Sequence, residues 1–262
     1  MGTWKMGENR IRLRAEVGAL VRGLELGLQV IDTAEMYADG GAELVVGEAL
    51  IGRRDQAFVV SKVLPHNASR RGTVTACERS LKRMGIETID LYLLHWRGSH
   101  PLAETLAAFE ALQRSGKIRR WGVSNFDVAD LRELEGLAGG RECATNQVYY
   151  ALSQRGVEFE LLPWHVGHQI ATMAYCPLDE GRLIGAHPVL GEVARRHGAT
   201  DAQVALAWLL QKPGTIVIPK SGRVAGIDEN AAARKLSLTA ADLAALDEAF
   251  PPPRRKHSLA MI

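Results

Sequence analysis

The chain has 262 residues, of which 47% are hydrophobic and 24% charged, and it is long enough for one large α/β domain or two small ones. Its 32 basic and 30 acidic residues give a formal net charge of +2, so there is no electrostatic reason to expect nucleic acid or an anionic membrane as a partner. Cys77, Cys143 and Cys176 lack metal-binding spacing, which favours a reducing, cytoplasmic compartment. No apolar stretch is long enough to span a bilayer or to act as a signal core, so no membrane association is expected.

Strand-like runs alternate with amphipathic helical patterns along the whole chain. Strands are predicted at residues 29–33, 57–62, 89–95, 118–124, 143–149, 170–175 and 215–219. Helices are predicted at residues 12–26, 41–51, 70–84, 101–115, 128–137, 157–168, 188–197, 201–210 and 239–250. A strand followed by a crossover helix implies parallel pairing, and strands this apolar are covered on both faces. This order predicts one α/β domain over residues 1–262.

The predicted architecture is a (β/α)8 TIM barrel, which needs one more strand than the seven found. Only residues 1–4 are available for it, so the first strand is expected to be truncated or incomplete. An incomplete first strand would either close the barrel imperfectly or leave the edges at residues 29–33 and 215–219 partly unpaired.

Polar side chains stand at the ends of three successive predicted strands, where barrel enzymes carry their catalytic groups. Asp32 ends the first of these strands and Tyr37 follows five residues later, Lys62 ends the second, and His95 ends the third. Reduction of a carbonyl needs an acid within hydrogen-bond reach of its oxygen. Tyrosine is a poor acid-base catalyst at neutral pH, because its pKa is about 10. A nearby ammonium lowers that pKa, a carboxylate holds the ammonium in place, and a histidine can orient the oxygen.

Other readings of single residues stay open at this point. A lysine inside a barrel could form a Schiff base, so Lys62 also fits a class I aldolase, although the Asp32 and Tyr37 partners argue against it. His165 and His168 have the spacing of a metal pair on a helix, but no third ligand stands out, and no metal is expected. The segment from Gly122 to Phe126 lacks the second glycine of a nucleophile elbow.

Eight short motifs, in order along nearly the whole chain, resemble those of the aldo-keto reductase superfamily, in its prokaryotic form. They are Gly2-Thr3-Trp4, Asp32-Thr33-Ala34-Glu35-Met36-Tyr37, Ser61-Lys62, Leu93-Leu94-His95-Trp96, Gly122-Val123-Ser124-Asn125-Phe126, Asn146-Gln147-Val148, Ala174-Tyr175-Cys176-Pro177-Leu178 and Ile218-Pro219-Lys220-Ser221. The resemblance implies a (β/α)8 barrel that binds NADPH without a Rossmann domain. The absence of a GxGxxG motif agrees with this.

The resemblance also implies roles for individual residues. Tyr37 would be the general acid, Lys62 and Asp32 would tune it, and His95 would orient the carbonyl. The nicotinamide carboxamide would be bound by Ser124, Asn125 and Gln147, and its ring would stack on Tyr175. Further cofactor-binding positions are Gly2, Thr3, Trp4, Asp32, Cys176, Pro177 and Leu178.

The adenosine end of the cofactor is assigned by the same resemblance. Lys220 and Ser221, at the start of a helix, would bind the 2′-phosphate, and Glu229 and Asn230 would reach the adenine. Many members carry an arginine where this chain has Gly226, and Arg223 is the nearby residue that could compensate. We therefore expect NADPH as the cofactor, with NADH as an alternative.

The expected reaction is the reduction of small aldehydes and ketones to alcohols. Trp4 and Trp96 are candidates for an apolar wall of the substrate pocket. The chain is expected to act as a cytoplasmic monomer on a small carbonyl substrate. The alternative is a catalytically weak or inactive NADP(H)-binding regulatory barrel, which the shortened first strand would favour and the retained catalytic residues would not.

Overall fold

The computed structural model describes all 262 residues, and it contains seven β-strands and ten α-helices. The strands are β1 (Val30–Asp32), β2 (Phe58–Val63), β3 (Ile89–Leu94), β4 (Ile118–Ser124), β5 (Thr145–Tyr149), β6 (Ala171–Tyr175) and β7 (Thr215–Val217). The helices are α1 (Leu13–Glu25), α2 (Gly41–Leu50), α3 (Arg70–Met84), α4 (Leu102–Arg114), α5 (Val128–Glu135), α6 (Leu161–Gly167), α7 (Pro188–Arg196), α8 (Asp201–Leu210), α9 (Val224–Ala232) and α10 (Ala240–Ala249). All seven predicted strands are present.

The chain divides into two compact units. The first unit comprises Met1–Asn146 and Lys220–Ile227, and the second comprises Gln147–Pro219 and Asp228–Ile262. One boundary falls within β5 and another within α9. The prediction of one domain over residues 1–262 stays a prediction.

In the first unit, strands β1 to β4 pair in chain order and are all parallel. The register places Asp32 beside Val60 and Lys62 beside Leu93. Because these strands are parallel, their carboxyl ends meet at one edge of the sheet. Helix-forming segments between the strands supply the crossovers: Ser69 caps α3 by accepting a hydrogen bond from the Gly72 amide, and Gly85 ends it with a φ of 63°.

The amino-terminal residues run beside β1, where the sequence predicted a partly unpaired edge. The amide of Asp32 donates to the carbonyl of Met1 over 2.8 Å, and the amide of Thr3 donates to the carbonyl of Asp32 over 3.0 Å. Gly2 forms parallel bridges to Asp32 and to Lys220. The edge of β1 is therefore hydrogen-bonded at Asp32. The first strand of the barrel is present only as these isolated Gly2 bridges, which agrees with the predicted truncation.

In the second unit, β6 pairs in parallel with β7 through the partners Thr172 and Thr215, Met173 and Ile216, and Ala174 and Val217. Helix α8 begins with a capping box, in which Thr200 and Gln203 each accept a hydrogen bond from the other's amide. The buried Arg155 guanidinium bridges Glu158 and Asp247 at 2.8 and 2.7 Å, which ties α10 to the loop before α6. None of the helices in the chain is both long and apolar enough to cross a membrane.

Candidate active site

A fully buried lysine lies at the centre of the polar cluster in the first unit. Lys62 lies in β2 with 0% of its side chain exposed, and its ammonium donates three hydrogen bonds. The acceptors are Oδ2 of Asp32 at 2.9 Å, the carbonyl of Thr33 at 2.8 Å and the hydroxyl of Tyr37 at 3.1 Å. A buried ammonium is tolerated when it is paired and all its donors are satisfied, as they are here. Asp32, Tyr37 and Lys62 therefore form one hydrogen-bonded unit.

Tyr37 is positioned by a tight turn after β1. Ala38 and Asp39, the two residues that follow it, have positive φ angles of 52° and 51°. Left-handed backbone at two successive non-glycine residues is uncommon and often occurs at functional sites. With this backbone, the Tyr37 hydroxyl lies 3.1 Å from the Lys62 ammonium.

Glu35 fixes the same loop from the other side, a role that the sequence reasoning did not assign. It lies two residues before Tyr37, and its Oε1 accepts hydrogen bonds from the Leu64 amide at 2.9 Å and from Asn67 Nδ2 at 3.0 Å. Leu64 directly follows β2, the strand that carries Lys62. Glu35 thus ties the loop that bears Tyr37 to the end of that strand. The signal was present, since Glu35 belongs to the motif that contains Asp32 and Tyr37.

The ionisation of this unit differs in one respect from the sequence-based expectation. Loss of solvent around Tyr37 raises its pKa, while Lys62 acts in the opposite direction and Asp32 raises the pKa further. The net shift is upward, so the lysine moderates the effect of burial without reversing it. Burial would lower the pKa of Lys62, but Asp32 and Tyr37 outweigh it and raise that pKa. Tyr37 is therefore a neutral phenol beside an ammonium at physiological pH.

His95 directly follows β3 and adds a neutral imidazole to the cluster. Burial, and secondarily Lys62, hold the pKa of its ring well below the usual 6.5. Its ring lies 5.8 Å from the Tyr37 ring in an edge-on arrangement, and its buried Nδ1 has no hydrogen-bond partner within the protein. The amide group of Asn125 donates to the His95 carbonyl over 3.2 Å and so holds its main chain.

The other predicted positions of the first unit fall around the same sheet edge. Ser124 ends β4, and Asn125 follows it with a positive φ of 59° and donates to its hydroxyl over 3.2 Å. Trp96 follows His95 with their ring centroids 4.8 Å apart, and Trp4 lies beneath the Lys5 ammonium at 4.7 Å.

The predicted phosphate site also lies in the first unit. Lys220 is bridged to Gly2, and its ammonium forms no ion pair. The hydroxyl of Ser221 is engaged locally, because it donates to the Arg223 carbonyl at 3.0 Å and accepts from the Arg223 amide at 3.2 Å. A Cβ added at Gly226 would lie 2.3 Å from Ser221 Oγ, so this serine conformation requires a glycine there. Arg223 is exposed.

The second unit carries the remaining predicted cofactor residues. Tyr175 ends β6 and stacks on Tyr149, with ring centroids 5.6 Å apart and an interplanar angle of 19°. The hydroxyl of Tyr149 donates in turn to Asp179. Cys176 has a positive φ of 50°, and its sulfur accepts a hydrogen bond from the Glu180 amide at 3.2 Å.

The other second-unit positions have these surroundings. Gln147 lies in β5 and donates to the Met173 sulfur over 2.8 Å. Glu229 lies in α9 beside Asn230 and accepts from the Thr200 hydroxyl at 2.7 Å. Pro177 is buried and Leu178 half-buried.

The two histidines with metal-pair spacing have other contacts. His165 is buried with its Nδ1 2.8 Å from the Thr172 hydroxyl, and His168 stacks on Trp164 with ring centroids 3.9 Å apart. No group of three His, Cys, Asp or Glu side chains is arranged to hold a metal ion.

The donors present suit a nicotinamide dinucleotide phosphate. Lys220 offers an unpaired ammonium to a phosphate, and the Tyr175 ring is flat and half-buried. Within the first unit, the neutral phenol of Tyr37 and the neutral imidazole of His95, next to the buried Lys62–Asp32 pair, can protonate and orient a carbonyl oxygen. These features define an NADPH-dependent oxidoreductase of the barrel class.

Comparison with known proteins identifies the family. The sequence model of the Aldo/keto reductase family matches residues 1–250, and the chain belongs to this family. Methylglyoxal reductase YeaE of Escherichia coli (strain K12) is 52% identical over 100% of this chain and 93% of its own length. Glyoxal reductase of Bacillus subtilis (strain 168) is 35% identical, over 94% of this chain and 86% of its own. The solved structure of an aldo-keto reductase from Klebsiella pneumoniae in complex with NADPH matches with a TM-score of 0.98 and 48% identity, covering 100% of this chain and 94% of that one.

The family membership confirms several of the predictions from the sequence. The fold class is the (β/α)8 barrel, and the protein is an oxidoreductase that reduces carbonyl groups with NADPH. The regulatory-barrel alternative is not favoured, because the relatives that match are named as reductases.

Proposed function

We propose that the protein reduces short 2-oxoaldehydes to hydroxycarbonyl products, with Tyr37 as the general acid. The observation that carries the assignment of Tyr37 is the single buried ammonium of Lys62, which hydrogen-bonds both Asp32 and Tyr37. Relatives named methylglyoxal reductase and glyoxal reductase support the substrate class.

The roles of the side chains follow from their charges. Bound NADPH supplies a hydride to the carbonyl carbon, so negative charge develops on the carbonyl oxygen. Tyr37 donates its proton to that oxygen, and the Lys62 ammonium stabilises the phenolate that remains. Asp32 keeps Lys62 charged and in place. Neutral His95 donates a hydrogen bond that fixes the oxygen near Tyr37.

The cofactor-binding roles are part of the same proposal. Ser124 and Asn125 offer a hydroxyl and an amide to the nicotinamide carboxamide, as does Gln147 in the second unit. Tyr175 provides an aromatic face for the nicotinamide ring. Cys176, Pro177 and Leu178, the next three residues, are proposed to contact the cofactor through their backbone. Lys220 provides positive charge for the 2′-phosphate, together with Ser221 and Arg223. Gly2, Thr3 and Trp4 are also assigned to cofactor binding, because Gly2 forms bridges to both Asp32 and Lys220. Glu229 and Asn230 are assigned to the adenine.

The proposal also covers the oligomeric state, the location and the partners of the protein. A monomer in the cytoplasm, without nucleic acid or membrane partners, agrees with the near-balanced charge. Trp4 and Trp96 are proposed as apolar walls for the substrate.

The test compares substrates under steady-state conditions with NADPH. The proposal expects a higher kcat/KM for methylglyoxal and glyoxal than for simple aldehydes of the same length, such as propanal. Equal kcat/KM values across that set would remove the preference for 2-oxoaldehydes while leaving the carbonyl reductase activity. NADPH oxidation is measured as loss of its absorbance, with a reaction lacking substrate as the control.

A further inference from the structure

A buried carboxylate in α1 stands against the proposed phosphate site and has no role in the reaction above. Glu16 has 3% of its surface exposed, and its Oε2 accepts a hydrogen bond from the Gly7 amide at 2.9 Å. Its Oε1 accepts none, and the side chain forms no ion pair. Oε1 is not one of the fully buried atoms that lack a partner, so this oxygen is open to a molecule that approaches from outside.

The free oxygen of Glu16 faces the backbone next to Lys220. A Cβ added at Gly222 would lie 3.4 Å from Glu16 Cγ, 3.9 Å from Glu16 Oε1 and 3.9 Å from Lys220 Nζ. The missing side chain of Gly222 therefore leaves a small space with a carboxylate on one side and an ammonium on the other.

The space beside Gly222 lies between a positive and a negative side chain, which affects how a phosphate would bind there. Burial lowers the pKa of Lys220, Glu16 opposes that shift, and the nearby Arg12 and Lys5 act in the same direction as burial. Glu16 is thus close enough to act electrostatically on the ammonium proposed to bind the 2′-phosphate. A dianionic phosphate in this space would be attracted by Lys220 and repelled by Glu16. A ribose hydroxyl could instead donate a hydrogen bond to Oε1.

We propose that Glu16 is a specificity-determining residue that weakens the preference for NADPH over NADH. Dinucleotide-binding proteins select NADH by an acidic side chain that accepts a hydrogen bond from the ribose 2′-hydroxyl, and a carboxylate at that place repels a 2′-phosphate. Here the same chemistry would come from the first helix of a barrel, opposite the lysine that favours NADPH. This inference rests on the assignment of the 2′-phosphate to Lys220.

The test measures equilibrium binding of both cofactors, without turnover. Glu16→Gln removes the charge and keeps an oxygen for the Gly7 amide. NADPH and NADH dissociation constants are measured by quenching of protein fluorescence. The ratio of Kd for NADH to Kd for NADPH is expected to rise about tenfold in Glu16→Gln. A tenfold change corresponds to ~1.4 kcal/mol, the interaction energy that shifts a pKa by one unit. Lys220→Ala is the matched control and is expected to lower the same ratio.

The outcomes separate this inference from the proposed function. The role of Glu16 would be overturned if the Kd ratio of Glu16→Gln stayed within about twofold of wild type, far below the expected tenfold change. Should Lys220→Ala also leave the ratio unchanged, the phosphate assignment itself would fail. If Glu16→Gln does not fold by its melting curve, Glu16→Asp withdraws the carboxylate by one methylene and should raise the ratio in the same direction. An unchanged ratio in a folded Glu16→Asp would then count against the proposal.

Discussion

The Nζ atom of Lys62 lies 3.1 Å from the hydroxyl of Tyr37, inside a pocket where burial raises the pKa of that phenol. The two effects have different consequences. Burial keeps Tyr37 protonated before the reaction, as a proton donor must be. In the proposed mechanism, the ammonium would stabilise the phenolate that forms once the proton has left. This arrangement suits an acid in carbonyl reduction.

The Lys62–Asp32 pair makes stability and catalysis separable by mutation. Lys62→Met leaves the Asp32 carboxylate buried without its partner, so we expect a loss of about 3–5 kcal/mol in the free energy of unfolding. The double variant Lys62→Met/Asp32→Asn removes both charges and should recover most of that loss, yet remain inactive. Chemical denaturation and NADPH turnover measure the two properties. A double variant as unstable as Lys62→Met would contradict the pairing.

Glu35 is predicted to act on Tyr37 through the loop that both share. Glu35→Ala removes the acceptor for Leu64 and Asn67, and we expect kcat to fall about tenfold or more, because small displacements of a catalytic group are costly. Glu35→Gln keeps an oxygen for the Leu64 amide and should restore most of kcat. Steady-state kinetics with saturating NADPH separate kcat from KM. Equal kcat values for Glu35→Ala and wild type would show that the loop does not need this anchor.

Gly122 in β4 is predicted to be required by close packing. A Cβ there would lie 2.5 Å from the carbonyl oxygen of Thr145, which is backbone and cannot turn away. Gly122→Ala should therefore cost about 1–3 kcal/mol of unfolding free energy, as overpacking does. Gly18→Ala in α1 is the matched control: nothing lies within 4 Å of its added Cβ, and it should stabilise by about 0.5–1 kcal/mol. Denaturant titration of both variants checks the difference in sign.

His165 makes the stability of the protein depend on pH in a defined range. Burial lowers the pKa of its ring to about 4, whereas the unfolded chain takes up the proton near pH 6.5. Between those values the unfolded state binds more protons, so stability falls as the pH is lowered. We expect the unfolding free energy of His165→Asn to decrease less between pH 7 and pH 4 than that of wild type, by up to about 3 kcal/mol. The measurement is the unfolding free energy of both proteins at pH 7 and pH 4, and parallel losses would exclude His165 as the cause.

The sequence allowed the fold to be predicted well, for physical reasons visible in particular elements. Strand β4 and helices α3 and α8 have the predicted bounds, because apolar periodicity is strong and the ends are marked by Ser69, Gly85 and Thr200. Strand β7 was predicted two residues too long, since Pro219 extends an apolar run without a strand partner. Residues 1–4 were predicted as a truncated first strand by counting strands, since four residues have no period of their own, and residues 1–3 do pair with β1.

The candidate site was predicted in part. The sequence selected Asp32, Tyr37, Lys62 and His95 because each follows a strand within a motif, and the structure brings the four together. Their catalytic roles stay a prediction. Glu35 was missed, because its hydrogen bonds are to Leu64 and Asn67, about thirty residues away in sequence. Glu16 was missed as well, because its closeness to Gly222 and Lys220 is visible only in three dimensions. The upward shift of the Tyr37 pKa was also missed, since burial cannot be weighed against a neighbouring ammonium without coordinates.

The central claim is that Tyr37 donates the proton, and Tyr37→Phe tests it most directly. The variant loses one hydroxyl and the hydrogen bond to Lys62, so NADPH should still bind with a similar dissociation constant. Turnover of methylglyoxal should fall by at least about a hundredfold, as expected for loss of a general acid. A variant that binds NADPH and keeps turnover within about tenfold of wild type, only ~1.4 kcal/mol of barrier, would contradict the account.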